Sequence, residues 1–569
     1  MGTTIRANIF RDTTKPSLLP QASHKTAAFR SRYHVIHQRL LRNESFQTST
    51  VSSSRSRALQ RTSSNPQNLK ITPIANMLGR HGSNHMLLGQ LNILPTGELA
   101  ISDLTGTIAL EIKQAVAVPD DSAWFCPGMI VLVDGVYEEV EKSIGNGLSG
   151  SNGVGGTLGG RFKGFLIGQP PCEKRKATLG ITGPDEAPDH TIGGGFGWID
   201  FLGVGSERAV GPKMRRLERR LLAAPAAPSS LDEDADPVGP SRGRVVVIGE
   251  LTLDQPRALQ ALRKILALYA AEPEGSAPVT FVLAGNFTQQ AVLARGGSGG
   301  SIEYKEYFDA LASALAEFPT LLRASTFVFL PGDNDGWVSS FTAGASVPLP
   351  RKPVPDMFTS RIRRAFAAAN AEAGTSTRGV PGSAVWASNP SRLSLFGPNH
   401  EIVLFRDDIS ARLRRTSVRL RKKAGGGAAP ATQTADTMDV DNDDDAASPP
   451  PPRPDQEEPA VTTTTTTVSL PQDAHSAEKL VKTILDQGHL SPFRTSIRPV
   501  HWDFVSALHL YPLPTALVLV DASAPPFCVA YEGCHVMNPG TVLVPGRKGV
   551  GRWIEYELGK LGRLRECTF

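Results

Sequence analysis

Apolar positions follow one rhythm up to about Pro171 and another from Arg244 onward. In the first region the apolar runs are short, β-favouring and broken by glycine: "HMLLGQLNIL", "GELAISDLTGTIALEI", "GMIVLVDGVYEEV" and "GRFKGFLIGQPP". That pattern predicts strands separated by turns. "ISDLTGTIAL" reads as a hairpin with Asp103 to Gly106 at or near its turn. Ile130, Val131, Leu132 and Val133 fall in one strand. Five short strands in this rhythm predict an OB-type barrel within 80–210, carrying a glycine-rich insert at 145–160.

From Arg244 the period alternates. "RVVVIGEL" is a continuous apolar run at Val245 to Ile248, and "QPRALQALRKILALYAA" follows with Leu259, Leu262, Leu266 and Tyr269 at helical spacing. Pro256 sits where a first helical turn tolerates proline. "VTFVLAGNF" is a second strand, and "YKEYFDALASALAEFPTLL" places Tyr304, Phe308, Leu311 and Leu315 on one helical stripe. "STFVFLPGDND" is a third strand. This alternation predicts an α/β unit with parallel strands. Ligands in such sheets bind at the carboxyl ends of the strands. Those ends read "GELT", "GNFT" and "GDND".

Low-complexity stretches set the expected boundaries. Residues 1–31 read as a disordered basic tail and 32–79 as a helical and linker segment. Up to Arg61 the only acids are Asp12 and Glu44, a composition that a transit peptide shares. Residues 224–243 have linker composition, and 424–467 form an acidic, proline- and threonine-rich insert with too few apolar residues to fold. The insert interrupts a single domain, 244–569, in which His489 belongs to the sheet begun at Val245.

Composition narrows the chemistry. The net charge of +5 is spread over 569 residues and names no partner. Cys126, Cys172, Cys528, Cys534 and Cys567 include no CxxC pair, which argues for free thiols, against a disulfide framework and against a cysteine zinc site. No apolar run is long enough to span a membrane. In the barrel region Trp124, Phe125, Tyr137, Phe162 and Phe165 are not interleaved with arginine, and Glu98, Asp103, Glu111, Asp134, Glu138 and Glu139 are frequent. A structural or docking barrel fits this better than a single-strand binder.

The three strand ends resemble the first boxes of the metallophosphoesterases, in which Asp-x-His, Gly-Asp and Gly-Asn-His hold two metals. Glu250 stands at the first aspartate and Thr252 at the histidine that follows. Asn286 stands at the bridging aspartate, a neutral amide between what would be two dications. Gly332, Asp333, Asn334 and Asp335 close the third strand without a histidine. His489 in "GHLSPF" is a ligand-type histidine, but the Gly-His-x-His box is absent, with Ser491 at its second histidine. Asp333, Asp335 and His489 as ligands compete with a reading as loop caps and satisfied polar groups, and His535 reads as a packed histidine beside a turn. The resemblance implies a degenerate calcineurin-like sandwich with no metal, no cofactor and no catalytic residue. An active metal-dependent phosphoesterase or nuclease is the alternative.

"VVVIGELTLDQPRALQALRKIL", "FVLAGNF", "FVFLPGDNDGW", "KTILDQGHLSPF", "RPVHWDFVSALHLYPLPTALVLVD" and "YEGCHVMNPGTV" occur in that order. Together they resemble the B-subunit family of DNA polymerases alpha, delta and epsilon, and its epsilon branch most. The resemblance implies an OB barrel packed on an inactive phosphoesterase-like domain. It implies a non-catalytic accessory subunit that grips the cysteine-rich C-terminal region of the catalytic subunit. Small histone-fold subunits complete the holoenzyme, which meets DNA as a complex in nuclear leading-strand replication. Family members contact GINS and the replicative helicase through a small N-terminal helical domain. Only about thirty tail-like residues precede "RYHVIHQRLL", so that domain is expected to be missing and the GINS contact is left open. The run Arg412–Lys423 reads as a nuclear signal, a phosphate-contacting patch or a solvated helix end.

Overall fold

The computed structural model describes residues 17–46, 69–139, 157–179, 216–218, 242–273, 275–291, 300–336, 347–372, 381–421 and 471–569. The expected linker at 224–243, apart from its last two residues, the insert at 424–467, and Trp337 lie outside the described residues.

Helix α1 (Ala22–Leu41) starts ahead of Arg32, which corrects the expected tail of 1–31. Tyr33, Ile36 and Leu40 form its inner stripe, against Leu88 and Ile130. Its first turn is held from far along the chain. His24 Nδ1 lies 2.5 Å from Asp503 Oδ1, and Lys25 Nζ lies 6.0 Å from the Trp502 ring. Local patterning cannot announce contacts of that separation.

Strands β1 (Asn84–Ile93), β2 (Leu99–Ser102), β3 (Thr107–Glu111), β4 (Val116–Val118), β5 (Ile130–Glu138) and β6 (Thr157–Gly168) form one sheet. Its order is β3-β2-β1-β5-β6-β4, and β3 also pairs with β6, closing a five-stranded barrel with β4 added outside β6. Two expectations change here. A sixth strand exists, and Thr157–Gly160, assigned to the glycine-rich insert, is ladder. Tyr137 Oη donates to Gly159 O at 2.8 Å, pinning that end. The hairpin turn is as expected: Asp103 Oδ1 accepts from the Thr105 and Gly106 amides at 2.6 and 2.9 Å, an Asx-type turn.

The second unit holds two sheets. The first contains β7 (Arg244–Ile248), β8 (Thr280–Ala284), β9 (Thr326–Leu330), β10 (Ser383–Trp386), β16 (Val550–Glu557) and β17 (Arg563–Thr568), ordered β10-β9-β8-β7-β16-β17. Strands β7 to β10 run parallel. The second contains β11 (Ser391–Leu395), β12 (His400–Arg406), β13 (Ala516–Val520), β14 (Phe527–Tyr531) and β15 (Cys534–Asn538), ordered β11-β12-β13-β15-β14. Val245, Val247, Val282 and Val328 of the first sheet face Ile402, Leu404, Val518 and Val520 of the second.

Helices cover both outer faces. α2 (Pro256–Ala270), α3 (Ser301–Ala316), α4 (Pro319–Ala324) and α5 (Asp356–Glu372) lie over Val246, Ile248, Phe281 and Phe327. α6 (Ile409–Thr416) and α7 (Pro471–Gln487) lie over Val403, Phe405, Leu517 and Leu519. The result is four layers, α/β/β/α. Strands buried on both faces must be apolar throughout, which is why they read as continuous runs.

The barrel docks on α7. Thr483 Oγ1 accepts from Trp124 N at 3.0 Å, and Gln487 exchanges two hydrogen bonds with the Ile130 backbone, at 2.6 and 3.0 Å. Arg39 of α1 reaches Pro170 O and Asp486 O at 2.8 and 2.5 Å. After β6 the chain leaves the barrel. Arg175 pairs with Glu401 at 3.0 Å, and Cys172 N donates to Asp486 at 3.1 Å. Residues 172–179 thus belong with the sandwich, inside the expected barrel range of 80–210, whose remainder from 180 lies outside the described residues.

Candidate functional site

The carboxyl ends of β7, β8 and β9 meet at one edge of the first sheet. The glycines there are required by close approach. A Cβ on Gly285 would sit 2.0 Å from Asp335 Oδ2, and one on Gly332 would sit 2.3 Å from Asn286 Oδ1. Glu250, Asn286 and Asn334 are brought together as their positions predict. Glu250 Oε1 accepts from Asn286 Nδ2 at 2.5 Å, and Asn286 Oδ1 accepts from Asn334 N at 2.9 Å. Asn334 Nδ2 donates to the carbonyls of Thr288 and Gln289. Thr252 is half-buried, and its carbonyl accepts from Gln255 N at the start of α2.

Asp333 and Asp335 part company. Asp335 turns inward and accepts from Gly332 N at 2.7 Å and from Phe287 N at 2.9 and 3.0 Å. The Tyr304 hydroxyl adds a 3.3 Å contact, and Arg351 donates to the Asp335 carbonyl. Asp333 turns toward Arg498, whose Nη2 lies 2.6 Å from its Oδ1.

Arginines are what sequence reasoning missed. Arg406 at the end of β12 bonds Glu250 at 2.9 Å and pairs with Asp408 at 3.4 Å. Arg498 pairs with Asp333 and, at 3.2 Å, with Asp407. Arg412 grips Asp407 through Nε and Nη2 at 3.0 and 3.1 Å and approaches Asp333 at 3.7 Å. Arg412 is therefore buried in the site, which corrects its place in the expected surface run. Arg406 is 2% exposed and Arg498 0%. Burial works against the charge of Arg406, but Glu250, Asp408, Asp333 and Asp407 outweigh it and push its pKa up. Burial also raises the Asp407 carboxyl, opposed by Arg498 and Arg412.

His489 lies elsewhere, a correction to its expected place in the first sheet. It follows α7, its Nδ1 accepts from Ser491 N at 3.0 Å, and its ring sits 5.4 Å from that of His509. Burial, Arg32 and His509 hold its pKa well below the usual histidine range. Burial with Arg32 and Arg392 takes His509 down to about 4. Both rings are neutral at pH 7. His535 packs 6.0 Å from the Tyr556 ring.

Asp335 gives the site a pH signature. Burial raises its carboxyl to about 6 despite the amides of Gly332 and Phe287 and the charge of Arg351. An acid whose folded pKa exceeds its unfolded one binds more protons when folded between the two values. Its contribution is fully present below about pH 4 and is lost as pH rises through about 6. The total change is about 3 kcal/mol. Denaturant titrations from pH 4 to 7 on the native chain and Asp335→Asn are expected to differ by that descending profile. Parallel profiles would contradict it.

Chemically, the carboxylates of Glu250, Asp333, Asp407 and Asp408 are compensated by guanidinium groups. Among the described residues no three His, Cys, Asp or Glu side chains converge as metal ligands.

Comparison with known proteins places this geometry. The profile of the family described as the DNA polymerase alpha/epsilon B subunit matches residues 245–529. The profile of the DNA polymerase epsilon subunit 2-like OB-fold domain matches residues 22–171. The DNA polymerase epsilon B subunit of Saccharomyces cerevisiae is 32% identical over 553 residues, covering 95% of this chain and 68% of that one. Its counterpart in Schizosaccharomyces pombe is 31% identical over 529 residues, covering 93% and 68%. DNA polymerase epsilon subunit 2 of Mus musculus is 25% identical over 528 residues, covering 92% and 73%.

Proposed function

The chain belongs to the DNA polymerase alpha/epsilon B-subunit family, and from that premise we propose that it is a non-catalytic accessory subunit of DNA polymerase epsilon. In this reading the barrel and the sandwich form one scaffold that grips the cysteine-rich C-terminal region of the catalytic subunit. The holoenzyme also carries small histone-fold subunits and meets DNA as a complex. Its place of work is the nucleus, in leading-strand synthesis. A GINS contact is no part of the proposal.

The observation that carries this reading is the arginine-locked strand-end site. Two-metal hydrolysis needs charged oxygens and imidazoles converging on metals about 3.5–4 Å apart, with an open position for water. Glu250 and Asp333 instead face Arg406 and Arg498. A guanidinium supplies positive charge but no coordination position, so it cannot generate a bound hydroxide. The donor set does not fit a dinuclear centre, and no hydrolytic step is assigned to it. Glu250, Thr252, Asn286, Asp333, Asn334 and Asp335 are read as remnants of a calcineurin-like phosphoesterase kept for shape. His489 takes no part, since it packs beside His509 and Arg32.

The test is an assay of the full chain with manganese and a chromogenic phosphodiester. The expected turnover equals the metal-only background. Metal-dependent turnover that disappears in Asp333→Ala would sink the proposal and restore the hydrolase alternative.

A further inference from the structure

The basic run from the last turn of α6 onward has no role in the scaffold reading. Beyond the buried Arg412 the chain crosses the junction of barrel and sandwich. Val418 and Leu420 pack onto the core there. Val418 N donates to Phe125 O at 2.8 Å, and Arg421 N donates to Ala115 O at 3.2 Å. Arg415, Arg419 and Arg421 are exposed. Lys113 is exposed in the turn Ile112–Ala115 that receives Arg421. None of these four cations has an acidic partner among the described residues. Arg414 beside them is turned to the Ser523 carbonyl at 3.0 Å.

Two backbone hydrogen bonds and two apolar anchors hold this strip in place, which a flexible import signal does not require. Val418 and Leu420 pack inward while Arg419 and Arg421 are exposed, so the two arginines make a short row, flanked by Arg415 along the chain and by Lys113 across the Ala115 contact. Guanidinium groups carried on an anchored backbone and without carboxylate partners suit regularly spaced phosphates. Trp124, the neighbouring barrel aromatic, is half-buried with Lys479 Nζ 5.3 Å from its ring, so one face of the ring is already taken by a cation. Contact would be with phosphates and without base preference.

We propose that Lys113, Arg415, Arg419 and Arg421 form a sequence-independent contact for a nucleic-acid phosphate backbone. This goes beyond the scaffold reading, and its test needs no catalytic subunit, so the two can fail separately.

The test is fluorescence anisotropy of the full chain on a labelled single strand and a duplex of equal length, from about 50 to about 200 mM salt. Four phosphate contacts give a log–log salt slope of about −3 on the single strand and nearer −4 on the duplex. On the single strand that is roughly a 50-fold loss across the range. The combined variant Lys113→Gln, Arg415→Gln, Arg419→Gln and Arg421→Gln is expected to lose most of the slope and to bind at least about tenfold more weakly at the low-salt end. The charge-keeping set Arg415→Lys, Arg419→Lys and Arg421→Lys is expected to retain the slope. The proposal is overturned if the glutamine variant keeps the native slope, if the lysine set loses it, or if the native chain binds neither nucleic acid at low salt. A preference that follows base composition overturns it as well. Whichever slope fits four contacts identifies the backbone as single-stranded or duplex.

Discussion

Arg498→Met is expected to lower the stability of the chain by roughly 3–5 kcal/mol. Arg498 is fully buried, and its guanidinium faces Asp333 at 2.6 Å and Asp407 at 3.2 Å. Methionine fills comparable space, so little of the loss is packing. What remains is two buried carboxylates whose other direct ion-pair partner among the described residues is Arg412, 3.7 Å from Asp333 and already engaged with Asp407. Burial has raised the Asp407 carboxyl even with both arginines present. The penalty should therefore shrink on acidification, as the two acids take up protons. Adding Asp333→Asn should restore part of the loss, since the pair shares one network and its effects are not additive. Chemical denaturation of the four members of this cycle measures the coupling. Independent single effects would contradict the arginine-locked description of the site.

Gln487→Leu is expected to cost a similar roughly 3–5 kcal/mol by a different route. Its amide satisfies both backbone groups of Ile130, donates to Gln169 Oε1 and accepts from Arg32. Leucine has nearly the same volume and satisfies none of them. Each buried polar group left without a partner costs about 1–3 kcal/mol. The damage lies where α1, the barrel and α7 meet, so the barrel should also become sensitive to protease under conditions where the sandwich resists. Intact protease resistance in this variant would show that the barrel is held by its apolar contacts alone.

Much of the framework was legible because burial on two faces leaves a plain mark. β7, β8 and β9 are apolar throughout since α2 to α5 cover one side and the second sheet covers the other. β4 spans only Val116–Val118, too short for any period to register. The first turns of α1 depend on Trp502 and Asp503, which no local window contains.

At the strand ends, Glu250, Asn286 and Asn334 could be read from their place after a glycine, and they do meet. Their arginine partners could not, because Arg498 arrives from a loop and Arg412 opens a basic run that reads as exposed. Arg406 carries a signal of its own: a cation closing the apolar run Ile402–Phe405, directly before Asp407 and Asp408. Residue type alone points His489 to the site, whereas the end of α7 carries it toward His509 and the charge of Arg32.

The proposed function rests on a complex with the catalytic subunit. The most direct measurement is co-expression of the full chain with the C-terminal region of the DNA polymerase epsilon catalytic subunit, followed by size-exclusion chromatography. The account predicts a single stoichiometric complex that survives dilution and moderate salt. Separate elution of two folded proteins would contradict it.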